Sequence, residues 1–179
     1  MDLGRLFIVT VFLAAAGLTQ FGCQNRVSAD PRDSDYTSEG GQYGDRSVEA
    51  YTTAIEQKPN DAEAYFGRGF AYALKRQYGL AVNDYSKAIE INPDYALAYE
   101  NRGTVKYRMG LFQAAVDDFT RAIELKPDYD LAYENRAWAY YSLKEYDNAW
   151  SDINMCRQRG GKPDATLVDH LTTASGRAE

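Results

Sequence analysis

Small and aromatic residues recur with helical spacing through the middle of the chain. Two stretches, residues 62–75 and 80–91, each place such residues at i, i+4 and i+7, the spacing of one helical face. The two stripes are Tyr65, Gly69 and Tyr72, and Ala81, Tyr85 and Ala88. This pattern predicts two successive amphipathic helices separated by a short break.

The same pattern returns every 34 residues. The segment DYALAYENRG starts at Asp94 and DYDLAYENRA starts at Asp128, and eight of their ten residues are identical. Other residues recur in step: Pro59, Pro93 and Pro127; Tyr65, Tyr99 and Tyr133; Ala81, Ala115 and Ala149; Gly69, Gly103 and Ala137. A 34-residue period with these residue types resembles the tetratricopeptide repeat, a helix-turn-helix unit. The resemblance implies an all-α solenoid of antiparallel helix pairs.

The resemblance also implies the organisation of the domain, which we place at residues 46–175. Three full repeats are expected over residues 62–95, 96–129 and 130–161. Ser47–Pro59 matches the second half of a repeat and predicts a lone helix over the first end of the stack. Residues 163–175 carry a modest apolar stripe and predict a capping helix, because the end repeats of a solenoid expose an unburied face.

The amino-terminal residues have a different character from the repeats. Leu6–Leu18 is an uncharged apolar run behind Arg5, shorter than the roughly 20 residues that a membrane span requires. It therefore indicates a signal peptide over residues 1–22. An uncleaved amino-terminal anchor is the alternative interpretation.

The end of this run resembles the cleavage site of bacterial lipoproteins. Gly22 and Cys23 match that pattern, which implies lipidation of Cys23, whereas Gln20 and Phe21 depart from it. The competing interpretation is ordinary cleavage after Ala29. Residues 23–45 are polar and rich in Gly, Ser and Asp, so we expect a disordered tether. Together these features predict an exported protein attached to the cell membrane or outer membrane and facing the periplasm.

Composition argues against several chemistries. The formal net charge of −6 and the pI near 4.9 disfavour nucleic acid, which calls for a basic surface. One histidine and two widely separated cysteines predict no metal cluster, and we expect no cofactor. His170 is predicted to be a surface residue of the capping helix, and a hydrolase built on it is a distant alternative. Cys156 stands where Ala88 and Ala122 stand and is predicted to be buried.

A binding function remains, and the resemblance implies where it lies. In this family one face of the first helices forms a concave groove for an extended peptide or a partner helix. Asn101 and Asn135 stand where the family uses asparagine to hold the ligand backbone, while Gly67 stands there in the first repeat. The rest of the predicted peptide-binding set is Phe70, Glu100, Thr104, Tyr107, Arg108, Glu134, Trp138 and Tyr141.

Some of these residues have competing interpretations. Core packing is the alternative for Trp138 and Tyr141, and a solvated face is the alternative for Glu100 and Glu134, which would otherwise favour partners of positive charge. Family members that hold the carboxyl-terminal tail of chaperones use a basic residue four positions before the asparagine. Glu63, Leu97 and Leu131 stand there, which argues against capture of a terminal carboxylate.

Two further charged positions recur in all three repeats and are predicted to form structural pairs between helices. They are Arg68, Arg102 and Arg136, and Asp84, Asp118 and Asp152. The sequence as a whole predicts a non-enzymatic protein-interaction scaffold of the bacterial envelope with a protein or peptide partner. A pilotin-like assembly factor for a secretion or pilus machine is the alternative.

Overall fold

The computed structural model describes the backbone of residues 40–177 and the side chains of residues 47–177. This part of the chain folds into eight α-helices joined by short turns. They are α1 (Gly40–Gln57), α2 (Ala62–Leu74), α3 (Tyr78–Ile91), α4 (Ala96–Arg108), α5 (Phe112–Leu125), α6 (Asp130–Ser142), α7 (Tyr146–Gln158) and α8 (Ala165–Ser175). Each helix packs against its neighbours in sequence, so the molecule is an all-α solenoid, as predicted.

The helices form three antiparallel pairs with one additional helix at each end. The pairs α2–α3, α4–α5 and α6–α7 are the three predicted repeats, and α8 is the predicted capping helix. Asp164 begins α8 by accepting a hydrogen bond from the Thr166 backbone N–H (2.8 Å). Leu167 and Leu171 of α8 have no exposed surface, so this helix buries the open end of the third repeat.

The first helix differs from the prediction. It begins at Gly40, so residues 40–45 are helical, although the polar composition of residues 23–45 predicted a tether. The signal peptide, Cys23 and the rest of the predicted tether lie outside the described residues. In the described part of the chain, no helix combines the length and apolar character needed to cross a bilayer.

Small residues let the two helices of each repeat approach closely. A Cβ added at Gly69 would lie 3.0 Å from the Tyr85 ring, and one at Gly103 would lie 2.8 Å from the Phe119 ring. The third repeat has Ala137 at this position, where the facing residue is the smaller Ile153. The small residue on the first helix thus matches the size of its partner on the second.

The predicted arginine–aspartate pairs are present in all three repeats. Arg102 binds Asp118 with two hydrogen bonds, from Nε to Oδ2 (2.9 Å) and from Nη2 to Oδ1 (2.7 Å). Its Nη1 donates to Ser86 Oγ of the preceding repeat (2.9 Å). Equivalent contacts join Arg68 to Asp84 and Thr52, and Arg136 to Asp152 and Thr120. Each arginine therefore links three successive helices.

Candidate functional site

The candidate site is the face formed by α2, α4 and α6, which we call the inner face. These first helices contact one another, α2 with α4 and α4 with α6. Two side-chain hydrogen bonds join α4 to α6 on this face. Asn135 Nδ2 donates to Glu100 Oε1 (2.8 Å), and the Tyr107 and Ser142 hydroxyls lie 3.1 Å apart.

Glu100 is the centre of a buried polar network. Its Oε1 also accepts from Thr104 Oγ1 (3.2 Å), and its Oε2 accepts from Asn101 Nδ2 (2.9 Å). The second hydrogen of the Asn101 amide is donated to the Leu97 carbonyl (3.0 Å). Both donor positions of Asn101 are therefore used within the protein, so this side chain can offer a ligand only its Oδ1 acceptor.

Burial controls the ionisation of this network. It raises the pKa of Glu100 to about 7, although hydrogen bonds from Thr104 and Asn135 act in the opposite direction. Burial also raises the pKa of Tyr85 and of Tyr129, and the nearby Glu100 carboxylate adds to both shifts. The middle of the inner face thus contains a carboxyl group that changes charge near neutral pH.

The ten predicted binding residues differ in their exposure to solvent. Half of them are buried: Glu100, Asn101, Glu134, Asn135 and Trp138. Phe70, Thr104, Tyr107 and Tyr141 are half-buried, and Arg108 is exposed. Peptide binding by these ten residues stays a prediction. The solvated alternative for Glu100 and Glu134 is wrong, since their exposed fractions are 1% and 3%, and Trp138 packs in the core at 2%.

The accessible part of the inner face carries apolar and aromatic side chains beside the exposed charged residues Glu63 and Arg108. Leu97 is 41% exposed, and Phe66, Phe70, Tyr107 and Leu131 are half-buried. Near the carboxyl end, His170 of α8 stacks on Tyr141 with ring centroids 5.6 Å apart. His170 is exposed and meets the Trp138 ring edge-on at 6.0 Å. Within the described residues it makes no hydrogen bond that would orient it for catalysis.

At the first repeat, a tyrosine ring from α1 covers the inner face at the asparagine position. A Cβ at Gly67, which stands at the asparagine position, would overlap the ring of Tyr51 from α1. The lone first helix therefore places an aromatic ring where the next two repeats carry an amide. Burial raises the pKa of Tyr51, which agrees with a partly enclosed ring.

Several of these contacts were not predicted from the sequence. The hydroxyls of Thr52, Ser86 and Thr120 recur at the 34-residue period, so their contacts to the arginines could have been found. Lys106 replaces an aromatic residue and binds Asp118 Oδ2 (2.7 Å), a pairing without counterpart in the recurring pattern. The hydrogen bond between Tyr107 and Ser142 likewise has no counterpart in the repeating pattern that could have predicted it.

Family comparisons agree with this architecture. One model, described as TPR repeat, matches residues 39–76 and 75–110, and a second, described as Tetratricopeptide repeat, matches residues 96–129. These matches span half of the chain. The chain therefore belongs to the tetratricopeptide repeat family. A comparison with curated protein sequences gave no match.

Solved structures with a similar fold include interaction domains. The crystal structure of MamA is 25% identical and has a TM-score of 0.62, with 74% of this chain and 81% of MamA covered. The TPR2B domain in the pHsp70 complex of yeast Sti1 is 27% identical and has a TM-score of 0.59; 65% of this chain and 98% of that domain are covered. The first TPR of Spaghetti, bound to an HSP90 peptide, has a TM-score of 0.60 at 23% identity, with 64% of this chain and 90% of that domain covered, and shows the fold alone.

Proposed function

We propose that this protein is a non-enzymatic interaction scaffold that binds an extended peptide or a partner helix along the inner face. The observation that carries the proposal is the accessible apolar and aromatic surface of α2, α4 and α6. Exposed apolar area of this kind supplies a favourable free energy when a partner covers it. The Sti1 domain, solved in a pHsp70 complex, supports this use of the fold.

The chemistry of the surface indicates the kind of partner. The network around Glu100 is internally bonded, and at pH values below its pKa of about 7 its carboxyl is mainly neutral. Affinity should therefore come mainly from apolar side chains of the partner, placed over residues such as Leu97 and Tyr141. Glu63, Leu97 and Leu131 supply no basic clamp, so a terminal carboxylate is not the expected anchor.

A matched pair of leucine variants tests the proposal. Leu97 and Leu80 are 41% and 47% exposed, so replacing either by Glu should leave the fold intact. A partner is first recovered from envelope extract with the tagged protein and identified by mass spectrometry. Leu97→Glu should then weaken its binding by about tenfold or more in calorimetry, because a charge is buried at the contact. Leu80→Glu, on another surface, should bind as wild type; equal affinity of both variants would contradict binding at the inner face.

Variants of Asn101 and Asn135 should change the stability of the protein as well as its binding. Replacing Asn101 and Asn135 by Ala removes two of the donors that satisfy Glu100. A buried carboxyl that loses its partners costs about 1–3 kcal/mol or more. The double variant should therefore be less stable as well as weaker in binding, and its melting temperature has to be measured beside its affinity.

We further propose that the protein is exported and lipid-anchored through Cys23, with the repeats facing the periplasm. The apolar run Leu6–Leu18 followed by Gly22 and Cys23 supports this part of the proposal. Intact mass of the mature protein should show acyl chains on a chain that begins at Cys23. Cys23→Ser should carry no acyl mass. An unacylated chain that begins at Asp30 would instead establish ordinary cleavage.

A further inference from the structure

Each turn between two helices reverses the direction of the chain, so successive turns lie alternately on two opposite edges of the solenoid. Residues 75–77, 109–111 and 143–145 connect the two helices within a repeat and share one edge. We call this set, with Arg108 at the end of α4 and Leu80 in the first turn of α3, the intra-repeat edge. Residues 58–61, 92–95, 126–129 and 159–164 connect successive repeats and form the inter-repeat edge.

The two edges differ in charge. The intra-repeat edge carries Lys75, Arg76, Arg108 and Lys144 together with the carboxylate of Glu145, and in the adjoining first turn of α7 the exposed Asp147 pairs with Arg177. The turns of the inter-repeat edge carry as many acidic residues as basic ones. A positive edge on a protein whose formal net charge is −6 is therefore a local feature and does not follow from overall composition.

Two of these cations occupy backbone positions that favour glycine. Arg76 and Lys144 have φ of 56° and 63°, and the equivalent residue of the middle repeat is Gly110 with φ of 77°. Side-chain-bearing residues are disfavoured in this left-handed region. A cation is thus present in two turns where glycine would fit the backbone more easily.

The same edge also exposes apolar side chains. Four large apolar side chains are exposed in the described part of the chain, and three of them lie here: Leu80, Met109 and Leu111, at 47%, 44% and 49%. Met109 and Leu111 flank Gly110 at the tip of the middle turn. Basic residues around exposed apolar side chains are typical of surfaces that lie in a membrane interface.

The amino-terminal segment enters the domain at this edge. Helix α1 ends at an inter-repeat turn, so its start at Gly40 lies on the intra-repeat side. It has 18 residues where α3 has 14, so it extends about one turn, or roughly 6 Å, further in that direction. Cys23 precedes Gly40 by 17 residues, which span at most about 60 Å when extended.

We propose that the intra-repeat edge is a membrane-contact surface that lies on anionic phospholipid headgroups, with Met109 and Leu111 entering the interface. The inference rests on the membrane attachment proposed above. A single lipid chain gives only marginal attachment, and a basic surface is a common second signal. In this orientation the helices stand roughly upright on the bilayer, and the inner face stays open to a partner from the side.

The test places a tryptophan on either edge of the full-length protein. Trp138 and Trp150 are only 2% and 7% exposed, so they give little background when lipids carrying bromine quench fluorescence. Leu111→Trp reports on the intra-repeat edge and Asp94→Trp on the inter-repeat edge. The protein is reconstituted into brominated vesicles of phosphatidylcholine alone or of an equal mixture with phosphatidylglycerol. We expect quenching for Leu111→Trp in the anionic vesicles and little for Asp94→Trp.

A charge-matched pair of variants tests the role of the cations. Adding Arg76→Gly and Lys144→Gly to the Leu111→Trp reporter should shift the equilibrium of edge contact by about 30-fold, since each cation near an anionic surface contributes about fivefold. Glycine fits the backbone of both turns, and the melting temperature of the variant is measured beside its quenching. Lys58→Ser with Lys126→Ser removes the same charge from the inter-repeat edge and should leave quenching unchanged.

The outcomes separate this inference from membrane attachment itself. Equal quenching of both reporters, or quenching insensitive to the glycine variants, would overturn the edge contact while the protein still sediments with vesicles. Failure to sediment with either kind of vesicle would overturn both proposals. Quenching of Leu111→Trp that requires phosphatidylglycerol and both cations would establish the contact.

Discussion

At the residue scale, the repeated arginine–aspartate pairs offer an internal comparison. Asp118 binds both Arg102 and Lys106, whereas Asp152 binds Arg136 and no second cation in the described part of the chain. The two aspartates are similarly buried, with side chains 6% and 4% exposed. Lys106, the odd residue of the middle repeat, therefore duplicates the charge compensation of one aspartate only.

Removing Arg136 should consequently lower the free energy of unfolding by more than removing Arg102. Arg136→Met leaves Asp152 buried without a cation, which typically costs about 3–5 kcal/mol. Arg102→Met should cost less, because Lys106 still binds Asp118. Urea unfolding at constant m-value measures the difference. Adding Lys106→Met to Arg102→Met should restore the larger loss, and equal losses for the two single variants would show that Lys106 contributes nothing.

At the element scale, the contact between α1 and α2 depends on the absence of a side chain. Gly67 lies under the ring of Tyr51, and its Cα has no room for a Cβ. In a helix interior, Ala is otherwise favoured over Gly by about 0.8–1 kcal/mol. The effect of adding one methyl group here should thus depend on whether the ring is present.

The effect of Gly67→Ala on stability should therefore change sign with the residue at position 51. In the wild-type chain it should destabilise by about 1–3 kcal/mol through overpacking. In a Tyr51→Ala background the same change should stabilise by up to about 1 kcal/mol. Thermal unfolding of the four proteins gives the coupling free energy. Gly79→Ala, with open space around its added Cβ, is the control and should behave alike in both backgrounds.

The elements that sequence predicted well are those that repeat. Three occurrences of the same pattern located α2 to α7, because a solenoid buries equivalent positions in every repeat. The capping helix was predicted from its own apolar stripe and from the open end of the stack. The first helix was placed only from Ser47, since its upstream residues have no repeated counterpart. Burial of Glu100 was missed because it depends on Asn135 of the next repeat, 35 residues away. The contact between Tyr51 and Gly67 was missed for the same reason.

At the scale of the whole molecule, Glu100 should make the stability of the solenoid depend on pH. Its carboxyl lies between α4 and α6, and burial raises its pKa from 4.5 to about 7. The folded state consequently binds more protons than the unfolded state between these pH values. The free energy of unfolding should therefore decrease as pH rises from 4.5 to 7. The raised pKa of Asp152, also caused by burial, acts in the same direction.

Comparison with a variant isolates the contribution of Glu100. A shift of this size corresponds to at most about 3 kcal/mol between pH 4.5 and values above 7. Glu100→Gln cannot ionise, so its unfolding free energy should lose this part of the slope in urea titrations at several pH values. Glu90→Gln removes an exposed carboxylate that pairs with Lys87 and should keep the wild-type slope. Because ionisation places a charge without hydration at the contact between α4 and α6, it should loosen this contact. The hydrogen-exchange protection factors of these helices, which correct for the intrinsic pH dependence of exchange, should therefore fall from pH 6 to pH 8. An unchanged slope in Glu100→Gln would mean that water or a rearranged side chain already compensates the buried charge.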